Sequence, residues 1–157
     1  MHLRCRLFSF GLISAFIAGG CGSGESPPES LVMVAGTVLV NGKPMDGVQV
    51  TFIPEIAKNN RGGIGTTSAD GSFTVTDLTQ NLPGLAPGKY AVAYSRMRLP
   101  DGSAIPEPVA GQPPNPGIIR VETLPTYLQS PDPRDPSRLA EIPVDGIVDM
   151  ELGIKVK

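Results

Sequence analysis

The most specific chemical feature of the sequence is a cysteine at the end of an apolar N-terminal run. Two arginines precede residues Leu7–Ala18, which are uncharged and mostly apolar, and the small residues Gly19–Gly20 then lead into Cys21. This order is typical of a secretory signal peptide, and the run is shorter than the about 20 apolar residues of a membrane-spanning helix. We therefore expect residues 1–20 to be removed as a signal peptide, which leaves the Cys21 thiol at the new N-terminus.

The run Ala18-Gly19-Gly20-Cys21 resembles the lipobox of bacterial lipoproteins, although Ala18 stands where leucine is most usual. In that family the signal is cut before the cysteine, the thiol is diacylated, and the new N-terminus is usually acylated too. Two or more acyl chains hold a protein on a membrane where one does not. The resemblance implies lipid attachment at Cys21. Because Gly22 rather than Asp follows, it also implies sorting to the outer membrane, on the periplasmic side. The alternative is a secreted protein with an incidental cysteine.

Few other reactive side chains remain once the signal is removed. The only histidine is His2, and the only other cysteine, Cys5, also lies in the signal. Without histidine, the mature chain can form neither a Ser-His-Asp triad nor a histidine-ligated zinc site. Paired carboxylates stay open, as does a calcium site from Asp70, Asp132 or Asp135, although these acids lack EF-hand spacing. We expect no enzymatic activity, no catalytic residue, no cofactor and no metal.

Composition is compatible with one folded domain behind a tether. The chain has 157 residues with 19 Gly, 17 Pro and no Trp, which favours short strands and loops over long helices. Without the first 20 residues, 11 basic and 15 acidic residues remain, so no basic face for nucleic acid is expected. Residues 21–31 are interpreted as the lipidated cysteine and a flexible tether, and residues 32–157 as the domain.

Alternation of apolar and polar residues with a period of two predicts that this domain is all-β, a small antiparallel sandwich of about seven strands. The first predicted strand is Val32–Val40, followed by a turn at Asn41-Gly42. Two further strands, Val48–Ile53 and Lys89–Ser95, each have one apolar face. The residues expected to point inward from these two strands are Val48, Val50, Phe52, Tyr90, Val92 and Tyr94.

A central hairpin is predicted over Gly65–Val75. Gly71 can adopt the positive φ of a tight reversal, and Asp70 can bond to nearby backbone. Residues rich in β propensity flank both sides of this turn, so its two arms are expected to pair as strands, with Phe73 and Val75 facing inward.

The second half of the chain begins with a Pro-rich insertion at about 99–123. Eleven of the 17 prolines lie between Pro100 and Pro143. The insertion is interpreted as a surface loop stiffened by proline, or else as a polyproline II ledge on which a partner docks. Within it, Gly117–Val121 is a candidate edge strand. The segment Ser130–Pro136 is interpreted as a solvated linker.

The last predicted strand has the clearest alternation in the chain. All five residues of its apolar face are expected in the core, namely Val148, Met150, Leu152, Ile154 and Val156. A strand over Arg138–Val144 is expected to pair with it, with Pro143 at an edge or bulge.

The order of these turns and strands resembles the carboxypeptidase regulatory-like domain, a transthyretin-like β-sandwich. The resemblance covers roughly residues 34–95 and 124–156. It is carried by Gly36-Thr37-Val38, Asn41-Gly42-Lys43-Pro44, Gly47–Phe52, Thr67–Phe73, Pro87–Tyr90, Leu124–Tyr127, Ser137-Arg138-Leu139 and Glu151-Leu152. The family implies a fold and no reaction. A hydrolase on a related fold, hydroxyisourate hydrolase, depends on histidines that this chain lacks.

Two functions of different class are therefore expected. The first is a membrane-anchored structural or protein-interaction module of the cell envelope. The second is a ligand-binding module, for example for glycans, whose sugar platforms use exposed Trp or Tyr. Because Tyr90 and Tyr94 are expected to face inward, Tyr127 is the candidate ligand contact.

Overall fold

A computed structural model of the chain describes residues 30–56, 60–106 and 117–156. The predicted signal peptide, Cys21 and most of the predicted tether therefore lie outside the described residues. So does the central part of the predicted Pro-rich insertion.

The described residues are nearly all β, with two single-turn 3₁₀ helices. Eleven strands are present in these ranges, and four of them are only two residues long. The elements are β1 (Val34–Val40), β2 (Lys43–Pro44), β3 (Gln49–Pro54), β4 (Gly63–Thr66), β5 (Ser72–Thr74), β6 (Thr76–Asp77), β7 (Gly88–Ser95), β8 (Met97–Arg98), β9 (Val121–Glu122), η1 (Thr126–Leu128), η2 (Pro136–Arg138), β10 (Leu139–Ile142) and β11 (Ile147–Ile154).

The strands form two main sheets and a short ribbon. In the first sheet β1 pairs with β11 on one side and with β2 and β5 on the other. The second sheet has the order β10-β7-β3-β4-β6 and is antiparallel throughout. The ribbon consists of β8 and β9, which carry the chain out to the Pro-rich insertion and back. The chain crosses between the two main sheets after β2, after β4, after β5 and after β10.

Inward-facing side chains from both sheets form one apolar core. The Phe52 ring of the second sheet lies 6.3 Å from the Phe73 ring of the first, and 6.2 Å edge-on from Tyr90. The largest fully buried core residues are Tyr90, Tyr94, Phe52, Leu85, Ile142, Val34, Val38, Val48, Val50, Val75 and Val92. Burying both inner faces against one another is the stabilising principle of a β-sandwich, so the all-β prediction is confirmed.

The predicted hairpin over Gly65–Val75 is right in its turn and wrong in its pairing. Gly71 has a φ of +78°, and its N–H donates to the Ser68 carbonyl at 2.9 Å. Beyond the turn the arms separate, because β4 joins the second sheet while β5 joins the first. Phe73 and Val75 are buried, as predicted, but they reach the core from the sheet opposite β4.

The last strand differs from its prediction in direction and in one residue. β11 runs parallel to β1, so the sandwich is not purely antiparallel. Pairing skips from Val34 with Ile147 to Gly36 with Met150, so β11 has one extra residue there. This bulge reverses the alternation, and Val148 is 67% exposed instead of buried. Of the other residues on the predicted apolar face, Met150, Leu152 and Ile154 are buried and Val156 is partly buried.

Two further strand predictions need correction. The strand expected over Arg138–Val144 is β10, which is shorter and pairs with β7 instead of the last strand. Pro143 lies just after it and therefore needs no bulge. The edge strand expected over Gly117–Val121 is found at its end, where Val121–Glu122 pairs with β8.

Candidate functional site

The segment interpreted as a solvated linker, Ser130–Pro136, ends in the 3₁₀ helix η2, and residues of this region line a pocket. Asp135 precedes η2, and its Oδ1 accepts hydrogen bonds from the Ser137 N–H at 3.0 Å and hydroxyl at 2.6 Å. Pro136 occupies the first helical position, where its missing N–H costs nothing. The 3₁₀ turn that begins here ends at Arg138, whose side chain lies against the backbone of the preceding segment.

Arg138 is only 5% exposed and binds four backbone carbonyls. Its Nε donates to Val92 O at 3.4 Å and its Nη1 to Tyr127 O at 2.9 Å. Its Nη2 donates to Leu128 O at 3.5 Å and also to Ser130 O. The guanidinium thereby joins β7 to η1 and the segment after it. Burial of a charge is tolerated only where such bonds replace its hydration.

No carboxylate in the described ranges forms an ion pair with Arg138. The nearest influence is Asp135, whose pKa is lowered mainly by its two bonds from Ser137 and, to a lesser extent, by the positive charge of Arg138. The carbonyl dipoles solvate the guanidinium but do not cancel its charge. With Lys155, Arg138 gives the pocket lining two cations against the single carboxylate of Asp135, an excess of one positive charge.

Tyr94 adds a second unusual group to this pocket. The residue is 2% exposed, and its hydroxyl has no hydrogen-bond partner among the residues that the structure describes. Burial raises the pKa of Tyr94 to about 12, against a smaller opposing effect of the Arg138 charge. At neutral pH the hydroxyl is therefore protonated and retains an unused donor.

The pocket has a volume of about 270 Å³ and opens beside Tyr127. Tyr127 is 58% exposed, and its hydroxyl donates to the Lys155 carbonyl at 3.2 Å. The expectation that Tyr90 and Tyr94 are buried while Tyr127 is exposed is confirmed. The lining residues are Tyr94, Tyr127, Leu128, Asp135, Ser137, Arg138, Gly153, Ile154 and Lys155.

A second polar cluster lies at the base of the ribbon. Asp46 forms salt bridges with Arg96 at 2.8 Å and with Arg98 at 2.5 Å. Arg98 is 5% exposed, and its Nε has no partner in the described part of the chain. Hydrogen bonds from Arg98 and then from Arg96 lower the pKa of Asp46. This cluster links β8 and the residue just before it to the turn before β3.

Glu122 anchors the returning strand of the ribbon. Its carboxylate accepts from the Ser95 hydroxyl at 2.6 Å and from the backbone N–H groups of Arg96 at 2.8 Å and Leu124 at 2.9 Å. Burial opposes ionisation of Glu122, but these hydrogen bonds outweigh it and lower the pKa. Both ends of the Pro-rich insertion are thus fixed to the sandwich.

Among the residues that the structure describes, a groove of about 650 Å³, larger than the pocket at Tyr127, follows the first sheet near the bulge in β11. Small and hydroxyl-bearing residues line most of it, with Asp149 and Glu151 at one side. Its lining includes neither a buried cation nor an unpartnered polar side chain, so it offers less specific chemistry than the pocket at Tyr127.

The three aspartates considered for calcium are each used in a local turn. Asp70 accepts from the Ser72 N–H at 3.0 Å and from the hydroxyls of Ser68 and Ser72, which lowers its pKa to about 2. Asp132 accepts from the Arg134 N–H at 3.0 Å. No group of three or more potential metal ligands occurs in residues 30–56, 60–106 and 117–156.

The sequence named Tyr127 as a candidate ligand contact and gave no indication of the residues around it. Arg138 follows a Ser-Pro-rich segment and gave no sign of burial, since arginines are mostly exposed. The Asp135-Pro136 pair was the available signal, because it is the start of a helical turn. Cys21, the predicted lipid attachment site, lies outside the described residues. No helix within the ranges that the structure describes is long and apolar enough to cross a bilayer.

No protein family, curated protein or solved structure matches the chain. Assignment of a function therefore rests on the residues and their geometry.

Proposed function

We propose that the protein is a lipoprotein of the cell envelope whose β-sandwich is a non-catalytic interaction module. The anchor is the lipidated Cys21, which supports this proposal because it follows a basic start, an apolar run and small residues in the order of a lipobox. Three acyl chains would hold the domain on the outer membrane, facing the periplasm. The single observation that carries the proposal is the position of Cys21 directly after the predicted signal peptide.

The interaction role is supported by the way the Pro-rich insertion is mounted. Closing a long loop between two strands costs conformational entropy. Here Asp46 binds both arginines of the outgoing chain, and Glu122 binds the returning chain to Ser95. A fixed base reduces the entropy that a partner must remove when it binds the insertion. The fold type proposed is the transthyretin-like sandwich that the order of turns resembles.

Two experiments test this function separately. For the anchor, Cys21→Ser is expected to move the protein out of the membrane fraction, whereas Cys5→Ser, a matched change inside the predicted signal, is expected to leave it there. Retention of the Cys21→Ser protein in washed membranes would refute the anchor. For the interaction, cross-linking in the native envelope is compared between the intact chain and a chain lacking residues 102–116. Identical cross-linked products from both would refute docking on the insertion.

The second candidate is a ligand-binding module, which is favoured by one specific observation. The only described tyrosine with an exposed ring, Tyr127, borders a pocket that contains a buried cation and an unpartnered hydroxyl. Apolar surface next to a few convergent polar groups is the usual composition of a small-molecule site. A glycan array with a dose-dependent signal that Tyr127→Ala abolishes would place this candidate first.

A further inference from the structure

The charged residues that line the pocket at Tyr127 favour a negatively charged ligand. Arg138 contributes a cation that is 95% buried and has no ion pair among the described residues, and Lys155 adds a second cation at the rim. Asp135 is the one carboxylate that lines the pocket, and both of its hydrogen bonds come from Ser137. The charge of Asp135 acts on Arg138 without forming an ion pair with it, so an entering carboxylate would add a direct counter-charge. Bonds between a guanidinium and a carboxylate are among the strongest in proteins.

The size and the walls of the pocket limit the ligand further. A volume of about 270 Å³ lies just below the about 300 Å³ at which pockets for drug-sized molecules begin, so one ring with its substituents would fill it. The exposed ring of Tyr127 gives one apolar wall, against which the C–H face of a sugar ring can pack. The Tyr94 hydroxyl, together with Ser137, offers polar partners for hydroxyl groups.

We propose that this pocket binds a single acidic sugar residue, a hexuronate, with its carboxylate towards Arg138 and Lys155 and its ring on Tyr127. The proposal rests on the ligand-binding candidate above and does not depend on the lipid anchor. A neutral sugar would leave Arg138 without an ion pair, and a simple carboxylate such as acetate would leave Tyr127 without a contact. The same chemistry is available in a free hexuronate and in the terminal residue of an acidic polysaccharide.

The test uses the full mature protein in detergent micelles and glucuronate as the probe, with glucose as the neutral control. Saturation-transfer NMR at constant ionic strength is expected to show saturable glucuronate binding and at least about tenfold weaker glucose binding, the effect of one charged interaction. A disaccharide that ends in glucuronate is measured in parallel. Tighter binding of the disaccharide indicates a polysaccharide end, and equal binding indicates the free sugar; both outcomes support the pocket assignment.

Four variants test the geometry. Tyr127→Ala and Lys155→Ala are each expected to weaken glucuronate binding by about fivefold or more, whereas Lys89→Ala, which removes the same charge from an exposed position on β7, should not change it. Tyr94→Phe is expected to weaken binding without lowering the melting temperature, because the hydroxyl it removes has no partner in the free protein.

Three results would overturn the proposal. They are equal affinity for glucose and glucuronate, displacement of glucuronate by acetate at equal concentration with no effect of Tyr127→Ala, and no saturable binding of glucuronate by a protein whose thermal unfolding shows it to be folded. The first of these would retain a glycan-binding function while removing the acidic specificity. None of them affects the fractionation or cross-linking results that test the anchor and the interaction module.

Discussion

Asp46 and Arg98 are 52 residues apart in the chain and meet at 2.5 Å. Asp46 lies in the turn before β3, whereas Arg98 ends the outgoing strand of the ribbon. Arg98 is buried and Asp46 is about half exposed, so the carboxylate is the solvent-side partner of a buried cation. The pair, with Arg96 beside it, decides where the Pro-rich insertion leaves the sandwich.

Replacement of Asp46 by asparagine is expected to destabilise the fold. The substitution leaves Arg98 buried without its counter-charge, and a fully buried pair would cost several kcal/mol when broken. Because Asp46 is half exposed and water screens the interaction, we expect a loss of about 1 to 2 kcal/mol in the free energy of unfolding. Urea denaturation measures it. Asp145→Asn, an exposed position in the turn before β11, is the control, and equal effects of the two changes would contradict this role of Asp46.

The same cluster predicts how stability depends on pH. The bonds from Arg98 and Arg96 lower the pKa of Asp46 in the folded protein below its ordinary value of 3.8. The resulting stabilisation is fully present above the unfolded pKa and is lost as the pH falls through the lower, folded pKa. We expect the free energy of unfolding to fall as the pH drops below about 4, and to fall less in Asp46→Asn. Parallel pH profiles for the two proteins would show that Asp46 does not contribute.

Gly36 is expected to tolerate no side chain. A Cβ at this position would lie 2.1 Å from the Met150 carbonyl oxygen, which is backbone of the paired strand and cannot rotate away. Gly36→Ala must therefore separate β1 from β11, and we expect a loss of at least about 2 kcal/mol. Gly153→Ala, on the same strand pair with open space around its Cβ, should change stability by less than about 0.5 kcal/mol. Thermal unfolding of both variants decides the matter, and similar stability of the two would argue against the parallel pairing.

Two residues that share the apolar pattern of β11 are expected to behave differently. Leu152 is 6% exposed, whereas Val148 is 67% exposed beyond the bulge. Leu152→Ala should cost about 2 to 4 kcal/mol because it leaves a cavity in the core. Val148→Ala should change stability by less than about 0.5 kcal/mol. Comparable losses in chemical denaturation would mean that the alternation continues without a bulge.

Much of the fold could be predicted because burial in a strand is a local property. Alternate side chains point to opposite faces, so Val48, Val50 and Phe52 had to share a face, and the core contains all three. Turns are equally local. Asn41 and Gly42 have positive φ values of 51° and 78° at the reversal predicted there.

Less of the candidate site could be predicted. The choice of Tyr127 as the candidate contact follows from the strand pattern, because that pattern points the other two tyrosines inward. The buried position of Arg138 and the unpartnered hydroxyl of Tyr94 do not, since both depend on how η1, η2 and β7 pack. The salt bridges of Asp46 likewise join residues about 50 positions apart, and no spacing in the sequence indicates such a contact.

The sequence by itself determined which side chains are apolar on one face of each strand and where the chain turns, because neighbours within a few residues decide both. Only the tertiary structure decided which strands are partners. Apart from proline, every residue type has the same backbone N–H and C=O groups. The residues of β4 and β5 therefore do not specify which sheet each strand joins, and those of β11 do not specify that it runs parallel to β1. That choice depends on how both apolar faces can be buried at once, which is a property of the whole chain.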